Sequence, residues 1–272
     1  MADALELPRG DLMAGRKGLV MGLADHRSIA WGIASQLAAQ GAELAISFIE
    51  PNERRARPLA ESIGAVPLVG DVTDDASMDA LFGALADRFG SIDFLAHCLA
   101  FADRTQLKGS FIENTTREGF RLAMDISAYS FVDSVRRAAR IMPRGGSIIT
   151  LTYLGSERPI PNYNMMGVAK AALEASVRYA ARDLGPQGVR VNAISAGALR
   201  TLSLAGISGG RAMVAQGRAL SALKEDTSME GVAGCALWLL SDLGRSTTGE
   251  IVHVDAGFHM MALPSDEEPP VG

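Results

Sequence analysis

Apolar residues recur along this chain in two alternating rhythms. Short stretches at 17–22, 43–48, 66–70, 92–98, 146–152, 189–195 and 250–255 are apolar at most positions. Strands covered on both faces require that pattern. Between them, apolar residues return every three or four positions, the period of one helix face. That spacing predicts helices over 28–40, 53–62, 75–89, 115–142, 162–184 and 229–240. In 75–89 the stripe is Met78, Leu81, Phe82, Leu85 and Phe89. Ser28 is placed to cap the first helix and Gly41 to end it, while Pro58 predicts an irregular second one. Strand alternating with helix predicts an α/β fold, a single doubly wound Rossmann-type domain with a mostly parallel seven-stranded sheet.

Composition narrows the class. With 272 residues, 48% of them apolar, the chain can bury the core of one large domain. A net charge of −5 offers no general attraction to nucleic acid or to an anionic membrane. Cys98 and Cys235, the two cysteines, read as reduced core thiols, which suits the cytoplasm. No apolar run approaches the roughly 20 residues of a membrane span, and the first fifteen residues carry no signal-peptide core. A soluble cytoplasmic protein is expected, with residues 1–14 a flexible tail, 15–261 the domain, and 262–272 a disordered acidic, proline-rich tail. Arg117, Arg121, Arg136, Arg137, Arg140 and Arg144 read as a solvated or subunit-contact face. His26, His97, His253 and His259 lack metal-ligand spacing, so no metal is expected. There is no Gly-x-Ser-x-Gly elbow and no Walker loop, which excludes those hydrolase and nucleotidase classes.

Candidate chemistry gathers in 151–170. This segment leaves a strand, crosses a loop marked by Gly155, Pro159 and Pro161, and enters a helix. Tyr153 and Tyr163 flank the loop, and Lys170 follows Tyr163 by nearly two helical turns, about 10 Å at Cα on one face. A tyrosine donating to an oxygen that gains charge, beside a fixed ammonium, suits passage through an enolate or alkoxide. Taken alone, the pair also fits a core tyrosine and a solvated lysine.

The ends of the other strands add to it. Gly22, before a helix start near Ser28, lets backbone and free N–H groups approach a pyrophosphate, although G-x-G-x-x-G is absent. Gly32 permits close packing of that helix on the sheet. Asp71 closes the third strand with a carboxylate suited to an adenine amino group, and small residues close the fourth (98–100) and sixth (195–201). Ligands of open α/β sheets bind at this carboxyl edge, so a dinucleotide site is expected there.

These residues resemble the short-chain dehydrogenase/reductases, and within them the bacterial NADH-dependent enoyl-[acyl-carrier-protein] reductases. The resemblance runs from about Gly15 to Met260. It is carried by Gly22 with Ser28, Ile29, Ala30 and Gly32, by 116–120 and 125–127, and by Tyr153-x9-Tyr163-x6-Lys170. Ile194–Gly197 with Arg200, Thr201 and Leu202, and 249–255, add to it. Ordinary superfamily members carry Tyr-x3-Lys instead. The resemblance implies NADH (NAD+) as cofactor. Gly22, Ser28 and Ile29 would lie at the pyrophosphate, Ile49, Asp71 and Val72 at the adenosine, and Leu99 and Lys170 at the nicotinamide ribose. Leu199, Arg200, Thr201, Leu202 and Ser203 would contact the carboxamide and phosphates. Tyr153, Tyr163 and Lys170 would be catalytic, with Ala102, Tyr153 and Tyr163 at the substrate. It further implies an acyl carrier protein bearing an enoyl thioester as partner, a homotetramer, and a mobile substrate lid over about 199–218.

Glu50, beyond the second strand, would repel a 2′-phosphate, which favours NADH, although Arg54 and Arg55 follow. Two positions depart from the family pattern. Ala100 stands where glycine is usual and would narrow the nicotinamide pocket, and Ala198 stands where proline is usual and would loosen the lid. The lid carries only Arg200, Arg211 and Arg218 to meet an acidic carrier. Two other readings are a ketone- or alcohol-type dehydrogenase, which requires a lysine at position 167 where glycine stands, and a non-catalytic dinucleotide-binding protein.

Overall fold

A computed structural model describes residue 5 and residues 7–205 and 209–262. The remainder of both expected tails and Gly206 lie outside the described residues, as does the side chain of Ser203. Seven strands form one sheet: β1 Lys17–Met21, β2 Glu43–Phe48, β3 Val66–Val69, β4 Phe94–His97, β5 Gly146–Thr152, β6 Val189–Ala196 and β7 Ile251–Val254. Their order is β3-β2-β1-β4-β5-β6-β7 and every pairing is parallel. The chain therefore reverses its direction of winding between β1 and β4, and a crevice opens above their carboxyl ends.

Ten helices connect and flank the strands among the described residues: α1 Ile29–Ala39, α2 Glu53–Ser62, α3 Asp75–Phe89, α4 Phe111–Asn114, α5 Arg117–Met124, α6 Ser130–Ala139, α7 Asn164–Leu184, α8 Leu202–Ala205, α9 Gly210–Leu220 and α10 Met229–Leu240. Helices α1, α2 and α10 bury Ile33, Leu37, Ala60, Val232 and Leu239 against Val20, Ile46, Phe94, Ile149 and Ile194 on one face of the sheet. On the other face α3, α6 and α7 bury Leu81, Phe131, Val135, Leu173 and Val177 against Leu19, Met21, Leu95, Ile148 and Val191. Successive residues such as Leu19, Val20 and Met21 thus enter opposite cores, which is why the strand runs lack polar alternation.

The stripe predicted for α3 is the set it buries, and Asp74 caps that helix by accepting from Ala76 N–H. Helix α1 ends as expected. Gly41 has φ +86°, its N–H reaches Ala38 O, and Ala42 N–H reaches Leu37 O, a Schellman closure. Helix α2 runs unbroken through Pro58. Against the irregularity expected there, that is one departure, and five further details differ from expectation. The Ser28 hydroxyl makes no cap to α1; it accepts instead from the N–H groups of Ala24 and Asp25, closing the preceding turn. Gly32 serves helix α10 rather than the sheet, since a Cβ there would lie 2.5 Å from Met229 Cγ. The single helix expected over 115–142 begins at Arg117, behind a Thr116 cap, and ends at Ala139. It widens into a π-helical turn at Asp125–Tyr129. Arg137 leaves the exposed arginine face to sit buried, held by Asp133 on its own helix and joining α6 to α3 through Asp79 and Asp75. Residues 8–14, expected to belong to a loose tail, are docked on α1. Pro8 O accepts from Gln36 and Gln40, Gly10 N–H reaches Ala39 O, and Met13 is fully buried.

His97, at the end of β4, is fully buried between Ser130 and Thr150. Ser130 directs its proton to Ile126 O at 2.6 Å, so imidazole Nε2–H donates to Ser130, leaving Nδ1 an acceptor beside the Thr150 hydroxyl, which is also within donating distance of His97 O. Burial, and secondarily the Lys170 charge, lower the imidazole pKa to about 3. The unfolded chain takes up this proton below its ordinary value, so the contribution is complete above about pH 6.5 and drains away toward pH 3. Urea unfolding of His97→Gln from pH 6 to 3.5 is expected to show an acid limb shallower than wild type by about 1.4 kcal/mol per pH unit. Parallel limbs would contradict the buried neutral ring.

Candidate active site

The carboxyl edge of the sheet carries a cleft of about 930 Å³, open mouth included, between the ends of β1, β4, β5 and β6 and the α8–α9 segment. Its floor is shaped by a close approach. Gly22, just past β1, has φ +93°, and a Cβ there would overlap the Cys98 carbonyl oxygen at the end of β4. Only glycine meets both conditions. Because the Ser28 hydroxyl is engaged in its own turn, the first-turn N–H groups of Ile29 and Ala30 have no acceptor among the described residues. Both residues line the cleft, so the positive end of α1 opens into it.

Opposite stands the predicted pair. Tyr163 occupies the cap position of α7, one residue before the helix rather than inside it, between Asn162 (φ +60°) and Asn164 (φ +26°). Asparagine tolerates such angles better than most residues. The Tyr163 ring packs edge-on against Tyr153, centroids 4.9 Å apart. Neither phenol oxygen has a hydrogen-bond partner among the described residues, and both residues line the cleft. Lys170 is 4% exposed and its Nζ donates to Leu151 O at 2.7 Å. Two of its three N–H donors remain for a ligand.

The electrostatics follow from burial. Desolvation raises the Tyr163 phenol well above its ordinary range, helped by Tyr153 and Glu174. It lifts Tyr153 to about 12, with Asp255 contributing, and Cys98 to about 12. It lowers Lys170 to about 8. The phenols are therefore neutral donors at physiological pH, beside an ammonium poised near it.

The cleft brings together Gly22, Ser28, Ile29, Leu99, Tyr153, Tyr163, Lys170, Leu199, Thr201 and Leu202 of the predicted set. Ala100 and Ala198 line it too. Ala102 packs beside Tyr163 in a small cluster with Leu107 and Met166. Ile49, Asp71 and Val72 lie off this cleft, along the β2–β3 edge. The Asp71 carboxylate accepts from the N–H and hydroxyl of Thr73, and Ile49 is exposed. Arg200 also turns outward, pairing with Asp226 at 3.3 Å and lining a neighbouring cleft with Arg27, Arg211 and Arg218. Cys98 lines the main cleft at the strand end expected to close the site, and Met213 and Leu204, inside the expected lid, line it without having been singled out. Glu174 was missed as well; it lies buried four residues past Lys170 and accepts from Thr152 at 2.6 Å.

Residues 22–259 match the family model described as enoyl-(acyl carrier protein) reductase. The chain belongs to that family. It is 50% identical over 258 residues to enoyl-[acyl-carrier-protein] reductase [NADH] 2 of Rhizobium meliloti, covering 94% of this chain and 96% of the relative. Among solved structures, the Anaplasma phagocytophilum reductase in complex with NAD superimposes with a TM-score of 0.91 at 48% identity, over 96% of this chain and all of that one. The Bacillus cereus reductase with NADP+ and indole naphthyridinone gives 0.90 at 47% identity, over 93% and 100%.

The packing of this enoyl reductase also bears on where the lysine stands. One turn past Tyr163 the helix carries Gly167, and a Cβ there would lie 2.6 Å from the Gly155 carbonyl oxygen. The Tyr153–Tyr163 loop presses directly on the helix at that point, so the lysine of the Tyr-x3-Lys arrangement has no room. Gly167→Ala opposes two effects, a helix-propensity gain of about 1 kcal/mol and overpacking of about 1–3 kcal/mol. Urea denaturation is expected to show net destabilisation; a stabilised variant would mean that the contact is slack.

Proposed function

We propose that this chain catalyses NADH-dependent reduction of the trans-2 double bond of enoyl thioesters carried on acyl carrier protein, as a cytoplasmic enzyme of fatty acid elongation. One observation carries the reading: a buried phenol and a buried ammonium face one cleft at the point where the sheet reverses winding, with a lysine at the shorter spacing sterically barred. The cleft fits a dinucleotide, because the open N–H groups of α1, the tight Gly22 turn and the two unengaged Lys170 donors suit pyrophosphate and ribose oxygens.

The nicotinamide, when bound, supplies the hydride delivered to the β-carbon. Tyr163 donates its phenolic hydrogen bond to the thioester oxygen, where negative charge develops as an enolate. A donor so placed contributes on the order of 3 kcal/mol to lowering the barrier. Its raised pKa keeps it a donor throughout the working pH range. Tyr153 packs against it and lines the acyl side, and Ala102 borders the same cluster. Lys170 holds the ribose, while Gly22, Ser28 and Ile29 hold the pyrophosphate. Ile49, Asp71 and Val72 would serve the adenosine along the β2–β3 edge, and the 199–203 stretch would contact the carboxamide and phosphates. Glu50 opposes a 2′-phosphate, and Arg55 is engaged with Asn52 at 2.9 Å, which supports NADH as the preferred donor.

The acidic carrier would meet the arginine-lined cleft of Arg27, Arg200, Arg211 and Arg218, which shares Thr201 and Leu204 with the main one. Exposed Tyr129, Val132 and Tyr179 on the α6–α7 side suit the contacts of a homotetramer. Among the described residues no helix is long and apolar enough to cross a membrane.

Absorbance at 340 nm with a crotonyl thioester tests the reading, with NADH oxidised faster than NADPH and no turnover of simple ketones. Tyr163→Phe is expected to lower kcat at least about tenfold with NADH affinity preserved, and Lys170→Ala to abolish measurable NADH binding. Normal turnover in the first variant, or unchanged affinity in the second, would remove the assigned role.

A further inference from the structure

Lys170 and Glu174 are four residues apart on α7, hence on one helix face, and both are buried, at 4% and 6% exposure. Consecutive residues of β5 hold them: the Leu151 carbonyl accepts from Lys170 Nζ at 2.7 Å, and the Thr152 hydroxyl donates to Glu174 Oε1 at 2.6 Å. No direct ion pair joins the two among the described residues. Each is anchored to the strand, and the charges act across the gap in surroundings that screen them poorly. A buried ammonium without a compensating charge tends to shed its proton.

The other titratable groups near Lys170 offer no such charge. On β4, His97 is held neutral by its lowered pKa of about 3, and Cys98, just beyond, is a neutral thiol because burial lifts it to about 12. Tyr153, after β5, and Tyr163, at the start of α7, have raised values and are neutral as well. The cleft walls from β1, α1 and the stretch after β6 contribute no charged side chain. Of the two groups whose negative charge would favour the protonated lysine, Cys98 and then Glu174, the thiol is neutral over this range, which leaves the Glu174 carboxylate.

We propose that Glu174 is a positioning residue of this site, the counter-ion that keeps Lys170 charged and its free N–H groups turned into the cleft. This rests on the dinucleotide reading given above. Without the carboxylate, Lys170 loses its proton at lower pH, and cofactor affinity falls inside the physiological range.

The test is NADH titration by fluorescence from pH 6 to 9 on the full-length protein, wild type and Glu174→Gln. Glutamine keeps the Thr152 bond and removes only the charge. The wild type is expected to weaken above about pH 8. The weakening in Glu174→Gln should begin about one unit lower, giving near-wild-type affinity at pH 6, roughly threefold weaker binding at pH 7.5 and close to tenfold weaker binding at pH 9. Superimposed profiles, or a loss by the same factor at every pH, would overturn the proposal. Should Glu174→Gln fail to fold, Thr152→Val decides, with a smaller shift in the same direction expected and an unshifted profile overturning the idea. A wild type that does not bind NADH at pH 6.5 would instead remove the functional reading on which this rests.

Discussion

The end of strand β5 lying against helix α7 is the contact on which the rest depends. Three consecutive residues, the last two of the strand and the one that follows it, meet the cap and two positions of the helix. The Leu151 carbonyl takes the lysine of position 170, the Thr152 hydroxyl takes the carboxylate of position 174, and the Tyr153 ring takes the ring of Tyr163. The strand advances about 3.3 Å per residue and the helix 1.5 Å, so such matching holds only for one seating of helix on sheet. That seating is set by Leu173 and Val177 in the core beneath and by Gly167 against the loop above. The geometry of the cleft and core packing are therefore one constraint here.

Burial works in two directions at this place. It destabilises the ammonium of Lys170 and the ionised forms of Tyr153, Tyr163 and Cys98, moving their pKa values away from those of free side chains. The same exclusion of water leaves the phenols neutral donors and makes their hydrogen bonds stronger than solvent would allow. A site tuned this way draws on stability supplied by the two cores on either side of the sheet.

How much of this was legible along the chain depended on whether the signal was local. Helices α3 and α10 and all seven strands announce themselves through periodicity, and the parallel order follows from strand–helix alternation. The tyrosine–lysine spacing placed the cleft's chemistry, and the strand ends placed its walls. Signals that depend on distant partners were not visible. Ser28 looks like a helix cap until the turn residues Ala24 and Asp25 claim its hydroxyl. Gly32 looks like a sheet contact until Met229, nearly two hundred positions later, arrives beside it. Residues 8–14 carry no apolar period, and their place is fixed by the carboxamides of Gln36 and Gln40. Lys170 and Glu174 show the four-residue spacing of a common surface pair, and nothing in that spacing reveals that both are buried. Asp71 and Val72 do not line the main cleft, because β3 stands two strands away from β1 in the sheet.

The π-helical turn at Asp125–Tyr129 puts Ser127 where its hydroxyl accepts from Phe101 N–H and donates to Phe101 O, clasping the loop that follows β4. Four residues later Phe131 enters the core beneath the sheet. One residue beyond ordinary helical count is absorbed in that interval. Excising it would rotate everything downstream by about 100° relative to Thr116, so either the clasp or the core side chains would face the wrong way. The extra residue is therefore tied on both sides, to the loop after β4 through Ser127 and to the core through Phe131, so the interval from Thr116 to Phe131 resists change in length.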